Sequence, residues 1–268
     1  MVDNRPIGVF DSGIGGLTVV KEITKVLPQE NIVYIGDTAR VPWGTRGKRV
    51  IINFSLQLAN FLVKKKVKLM VVACHTASSV ALPALKSKFK IPVIGVLEPA
   101  VETTANKSKN LRIGIIGTTA TIKSGAWERG LKKIDPEIKV LNVACPLFVP
   151  LVEEGLIHHS VTKTLAQEYL RPLVNQKVDT IILACTHYPL LKQTIKEVAK
   201  NVLLINPGRA TATFLKRFLK HHQLEGKNKK PEYQFYFTDT SYQAVKNLKK
   251  FLGGSGRGRI EEISLEKL

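Results

Sequence analysis

No apolar run in the sequence approaches the roughly 18 to 20 residues needed to span a bilayer, and the opening MVDNRPIGVF lacks the basic segment and apolar stretch of a signal peptide. A cytoplasmic protein is expected. Cysteine is scarce: three residues, an odd number without framework spacing, which argues against a disulfide-stapled domain and predicts free thiols in a reducing compartment. Acidic residues are also in deficit. The 41 Lys and Arg outweigh 21 Asp and Glu, leaving a formal net charge of +20, a balance that invites a polyanion partner. Yet aromatics make up only 7%, and no helix-turn-helix, zinc-finger or RNA-binding signature accompanies the excess, much of which sits in short runs such as Lys64-Lys65-Lys66 and KRFLKHHQLEGKNKK (216–230). A solvated basic surface is the expected reading, with no specific nucleic acid and no membrane as partner.

A chain of 268 residues with 44% hydrophobic and 23% charged content is an ordinary globular sequence, long enough for two domains. Runs apolar on both faces, RPIGVF (5–10), NIVYIG (31–36), VKLMVVA (67–73), IPVIGV (91–96), LRIGIIG (111–117), IKVLNVA (138–144), VDTIILA (178–184) and VLLIN (202–206), read as buried parallel strands. Between them lie amphipathic helical patterns such as 16–27 and 48–65. This alternation predicts α/β architecture with mainly parallel sheets. The two halves also echo each other: KVKLMVVAC (66–74) matches KVDTIILAC (177–185), and IGVFDSG (7–13) resembles IGIIGTT (113–119) at a similar offset. Two pseudo-symmetric α/β domains are therefore expected, the break falling near Leu97 to Pro99 and the chain returning near Pro207 with a further strand YQFYFT (233–238) and a helix 242–252. The expected division is residues 1–97 plus 208–268 for the first domain and 98–207 for the second. The stretch GGSGRGR (253–259) reads as either a turn or the start of a loose tail, the tail being preferred.

In parallel α/β sheets, ligands bind beyond the carboxyl ends of strands. Cys74 and Cys185 both fall there, where a helix N-terminus favours the thiolate. If the two strand ends face one cleft, the thiols flank one bound molecule. Removal of a proton from one face of a stereocentre and delivery to the other needs that arrangement, one group as thiolate base and its partner as thiol acid. Asp11, ending the first strand in VFDSGIGG (9–16), and His187, two residues after Cys185, are the natural assistants, and the glycine-rich turn offers N–H groups to a carboxylate. A zinc site from Cys74, His75, Cys185 and His187 is the competing reading, but adjacent ligands and missing close pairs argue against a metal.

These motifs resemble the cofactor-independent glutamate racemases of peptidoglycan synthesis, within the aspartate/glutamate racemase superfamily. The likeness runs through VFDSGIGGLTV (9–19), YIGDTARVPWG (34–44), VVACHTASS (71–79), GVLEPAV (95–101), IGIIGTTATI (113–122), CPLFVPLVEEG (145–155) and LACTHYPLL (183–191). It implies two pseudo-symmetric domains with the active site in the cleft between them, an isomerase that interconverts L- and D-glutamate for cell wall biogenesis, and no cofactor. No lysine in these motifs is placed as a Schiff-base candidate. It makes Cys74 and Cys185 the catalytic pair, acting on the D- and L-enantiomers respectively, with Asp11 supporting Cys74, and His187 and Glu153 supporting Cys185. Substrate contacts would come from Asp11, Ser12, Trp43, Gly44, His75, Thr76, Thr186 and His187. The family usually has Asn where this chain has His75 and Tyr where it has Trp43, and its sequence near NPGRATA (206–212) is usually acidic. His75 could keep carboxylate binding while adding a pH dependence. Both substitutions leave open a racemase for aspartate or another acidic amino acid. His75 and the basic charge leave open a non-catalytic binder of an acidic ligand or polyanion. Enzymes of this architecture form monomers or different dimers, and a homodimer stays open.

Overall fold

The computed structural model describes residues 2–241, 248–253 and 258–268. Ten strands are placed among these residues: β1 (Ile7–Asp11), β2 (Ile32–Gly36), β3 (Leu69–Val72), β4 (Val93–Gly95), β5 (Arg112–Gly117), β6 (Lys139–Ala144), β7 (Thr180–Ala184), β8 (Leu203–Ile205), β9 (Tyr233–Phe237) and β10 (Arg259–Glu262). They form two sheets, ordered β10-β9-β2-β1-β3-β4 and β6-β5-β7-β8. Every pairing is parallel. The architecture is two α/β units, with β1, β2, β3 and β7 buried along their whole length, as strands covered on both faces must be.

The order β2-β1-β3-β4 repeats as β6-β5-β7-β8, so the echo in the sequence is an echo in space. It begins one turn before the strands. Lys66 and Lys177 both take the left-handed conformation, φ 55° and 52°. At each, two hydrogen bonds close the preceding helix: Lys66 N to Val63 O and Val67 N to Leu62 O, against Lys177 N to Val174 O and Val178 N to Leu173 O. This is the Schellman cap, here with lysine in the position glycine usually takes. It aims β3 and β7 into their sheets in the same way, and the two cysteines 111 positions apart arrive at matched strand ends.

Two helices carry the chain between the sheets, Leu97–Ala105 after β4 and Pro207–His221 after β8. The expected helices 16–27 and 48–65 appear as Leu17–Val26 and Lys48–Lys64. Of the helix expected over 242–252, Leu248–Leu252 is present and 242–247 lie outside the described residues. The loose tail is overturned at its far end. Residues 254–257 lie outside the described residues, but β10 follows and pairs with β9, and Ile263 N donates to Phe237 O at 2.9 Å. The short, charged RIEE does not look like a buried strand because it is an edge strand, where charge is tolerated and even protective. Among the described residues no helix is long and apolar enough to cross a membrane.

Candidate active site

The carboxyl ends of β1 and β3 from one sheet and of β5 and β7 from the other converge on a cavity of about 300 Å³. The β1 end supplies the Asp11-Ser12-Gly13 turn. Gly13 N donates to Asp11 Oδ2 at 3.1 Å and Tyr34 Oη donates to Gly13 O at 2.6 Å, so the turn is held from inside and below. Ser12 Oγ then lies 3.4 Å from Cys74 Sγ. Cys74 caps the helix His75–Val80, its sulfur accepting from Ala77 N at 3.5 Å. On the opposite wall, Cys185 Sγ stands 3.9 Å from His187 Nδ1, and His187 Nε2 meets Glu153 Oε1 at 2.9 Å.

Asp11 stands behind the wall, fully buried and with no hydrogen-bond partner for Oδ1 among the described residues, while Ser12, Trp43, Gly44, Cys74, His75, Thr76, Glu153, Cys185, Thr186 and His187 all line the cavity. Reading residue by residue did not single out Thr118, Thr119 or the apolar Val41, Pro146, Val149 and Pro150, which line it too. The echo held the signal for the threonines. Laid on IGVFDSG at an offset of 106, IGIIGTT puts Thr118 where Ser12 stands and Thr119 where Gly13 stands. A larger groove of about 480 Å³, lined by Phe89, Ile91, Phe214 and Phe218 among others, contains none of these groups.

The two thiols sit in opposite electrostatic settings. Burial, reinforced by the Asp11 carboxylate, pushes Cys74 up to about 12. The helix N-terminus was expected to lower this thiol. Ala77 N does pull it down, but its single long contact loses to desolvation. Asp11 is itself raised by burial, an effect opposed by His187 and by the turn's backbone N–H groups. Burial also opposes charge on His187, but Cys185 and Glu153 outweigh it and hold the imidazolium up to about 10. One wall therefore carries a protonated thiol close to the buried Asp11, and the other a cation beside a sulfur.

His75 and Trp43 differ from their expected roles. The His75 ring is 3% exposed, neither nitrogen finds a hydrogen-bond partner among the described residues, and it stacks on Trp127 at 5.6 Å and 12°. Trp127 Nε1 is anchored on Ser79 Oγ at 3.0 Å. Burial pushes His75 down to about 3, so in the unliganded protein it is a neutral imidazole without the near-neutral titration its residue type suggested. Trp43 packs on Phe54 and gives its indole N–H to Asp37 Oδ2 at 3.2 Å. Its polar group is thus committed away from any ligand, to a carboxylate that also holds Arg40 and Thr238.

The His75 shift makes a stability prediction. Its folded pKa lies below its unfolded one, so the unfolded chain binds the extra proton. Stability is complete above the unfolded value near 6.5 and is lost as pH falls from there towards 3, by on the order of 4 kcal/mol. Thermal melts from pH 7 to pH 4 should show a smaller loss in His75→Asn, because asparagine does not titrate. Parallel curves would show that this ring is not buried as a neutral group.

Residues 7–215 match the Asp/Glu/Hydantoin racemase family. The chain belongs to that family. Among curated relatives it is 50% identical to the glutamate racemase of Aquifex aeolicus, over 92% of this chain and 94% of the relative. Among solved structures it superposes on the glutamate racemase isoform RacE1 of Bacillus anthracis with a TM-score of 0.94, 36% identity and 98% of each chain covered. The glutamate racemase of Francisella tularensis, solved in complex with D-glutamate, gives a TM-score of 0.93 at 38% identity, covering 99% of this chain and all of the other.

Proposed function

We propose that the protein interconverts L- and D-glutamate, without a cofactor, by proton transfer between two thiols across one cavity, and supplies D-glutamate for peptidoglycan from the cytoplasm. The observation that carries this reading is the convergence of Cys74 and Cys185 from pseudo-equivalent strand ends onto a single cavity. From L-glutamate, the Cys185 sulfur as thiolate takes the α-proton, with the His187 imidazolium beside it and Glu153 holding the far side of that ring. The Cys74 thiol gives its proton to the opposite face of the carbanion. The C–H bond broken on one face is replaced on the other, Cys185 ends protonated and Cys74 ends as thiolate, and the reverse reaction exchanges the roles.

The high pKa of Cys74 suits the acid in this direction and makes it a strong base in the other. An α-ammonium group placed near Asp11 would relieve the field that holds the Cys74 proton on. Among the described residues no Lys or Arg lines the cavity. The substrate carboxylates are accordingly held by hydroxyl and backbone donors, with His187 the cationic side chain in reach, so the +20 charge of the chain does its work outside the site.

Proton NMR in D₂O with L-glutamate, alongside L-aspartate and without added cofactor, tests the proposal. Loss of the L-glutamate α-proton signal with appearance of D-glutamate is expected. Exchange confined to aspartate would replace the substrate, and no exchange from either would overturn the reaction.

A further inference from the structure

The IGIIGTTATI segment carries a feature that the proton-transfer scheme does not use. Thr76, Thr118 and Thr121 place three hydroxyls in a closed triangle: Thr76 to Thr118 at 3.0 Å, Thr76 to Thr121 at 3.1 Å and Thr118 to Thr121 at 2.9 Å. Thr76 belongs to the helix His75–Val80 that follows β3 in the first sheet. Thr118 and Thr121 belong to the cap and body of the helix Thr119–Lys123 that follows β5 in the second. The triangle therefore bridges the two α/β units at the cavity wall. The cap of the same helix also packs against the other first-unit wall, since a Cβ on Gly44 would lie 2.9 Å from Thr118 Cβ.

Three hydroxyls own three protons. A closed ring uses all of them internally and leaves none for a ligand. Thr76 and Thr118 line the cavity, whereas Thr121 is 1% exposed and stands behind them. We propose that Thr121 is a positioning residue, the hidden corner of an interdomain hydroxyl latch that is closed when the cavity is empty and is opened by a carboxylate. When Thr76 and Thr118 turn their protons to an anionic ligand, the Thr121 hydroxyl still donates across the seam to Thr76. Their oxygens thus stay in register across the seam while their protons change partners. The ligand part of this inference rests on the acidic substrate proposed above; the bridging part does not.

The test compares Thr121→Val, which keeps the branched shape and removes the hydroxyl, with Thr121→Ser, which keeps the hydroxyl. In the valine variant KM for both glutamate enantiomers should rise roughly tenfold, with kcat within about twofold, the pattern of lost ground-state binding. The serine variant should return most of that affinity. Hydrogen–deuterium exchange of unliganded protein provides a second reading. Segments 75–80 and 119–123, on opposite sides of the seam, should both exchange faster by about threefold or more in the valine variant and stay near wild type in the serine variant. Unchanged KM and exchange in Thr121→Val would overturn the latch, as would serine behaving like valine, which would assign the effect to packing. If wild type does not racemise glutamate but the exchange pattern appears, the latch stands and the substrate reading falls. Should the valine variant not fold, Thr121→Ala removes the hydroxyl without placing a methyl against two polar neighbours, and the same readings apply.

Discussion

Racemisation is expected to fall by at least about 10³-fold in Cys74→Ser and equally in Cys185→Ser, because each replaces an ionisable thiol by a hydroxyl that is a far poorer proton donor and acceptor. Serine is close in volume, and both positions are buried at strand ends, so the fold should survive and thermal melts should confirm it. The two variants should fail differently. Cys74→Ser keeps Cys185 with its His187 partner and should still exchange the α-proton of L-glutamate with solvent, slowly and without inversion. Cys185→Ser should do the same for D-glutamate. Full racemisation in either variant would rule out the two-thiol scheme, and the reverse pattern of residual exchange would swap the assignment of thiols to enantiomers.

The largest expected effect on stability lies far from the cavity. The Lys68 side chain is inaccessible to solvent, with Nζ 2.5 Å from Glu30 Oε2, 2.8 Å from Asp3 O and 2.6 Å from Leu224 O. Glu30 Oε1 accepts from Gly226 N at 2.7 Å. This one ammonium group ties together the chain before β1, the approach to β2, the start of β3 and the segment after the helix Pro207–His221. Lys68→Met should cost about 3 to 5 kcal/mol, because it strands a buried carboxylate and two carbonyls rather than merely deleting an attraction. Urea denaturation measures it. A double variant, Lys68→Met with Glu30→Gln, should recover part of the loss, and equal losses in single and double variants would show that the pair is not coupled.

Much of this was legible in the sequence. The β-branched runs and the paired Ala-Cys strand ends specify parallel α/β units and locate the cavity, because strand ends are where such sheets bind. What escaped depends on surroundings that a linear reading cannot supply. Position 75 announces a titratable histidine, and only its burial in the folded protein, where the Trp127 ring of the other unit stacks on it, makes it a neutral one. Position 43 announces a cavity aromatic, and only Asp37 shows that its N–H is already spent. Asp11 reads as a substrate contact from its place after β1, but the tight Ser12-Gly13 turn folds it under the wall. β10 hides behind the glycine-rich GGSGRGR, which reads as the start of a tail, and its own mostly charged residues show no apolar alternation because an edge position does not demand one.

The strand order has a consequence for synthesis. β9 and β10 pair onto the outer edge of β2, yet they are translated after every strand of the second sheet. A nascent chain emerging up to the helix Pro207–His221 can complete β6-β5-β7-β8, while the first sheet still shows β2 as an unpaired edge. Exposed strand edges are templates for misassembly. The sheet that holds the earliest strands is thus the sheet that closes last, and the interval in which its open edge must be shielded is set by how quickly the ribosome delivers residues 233 to 262.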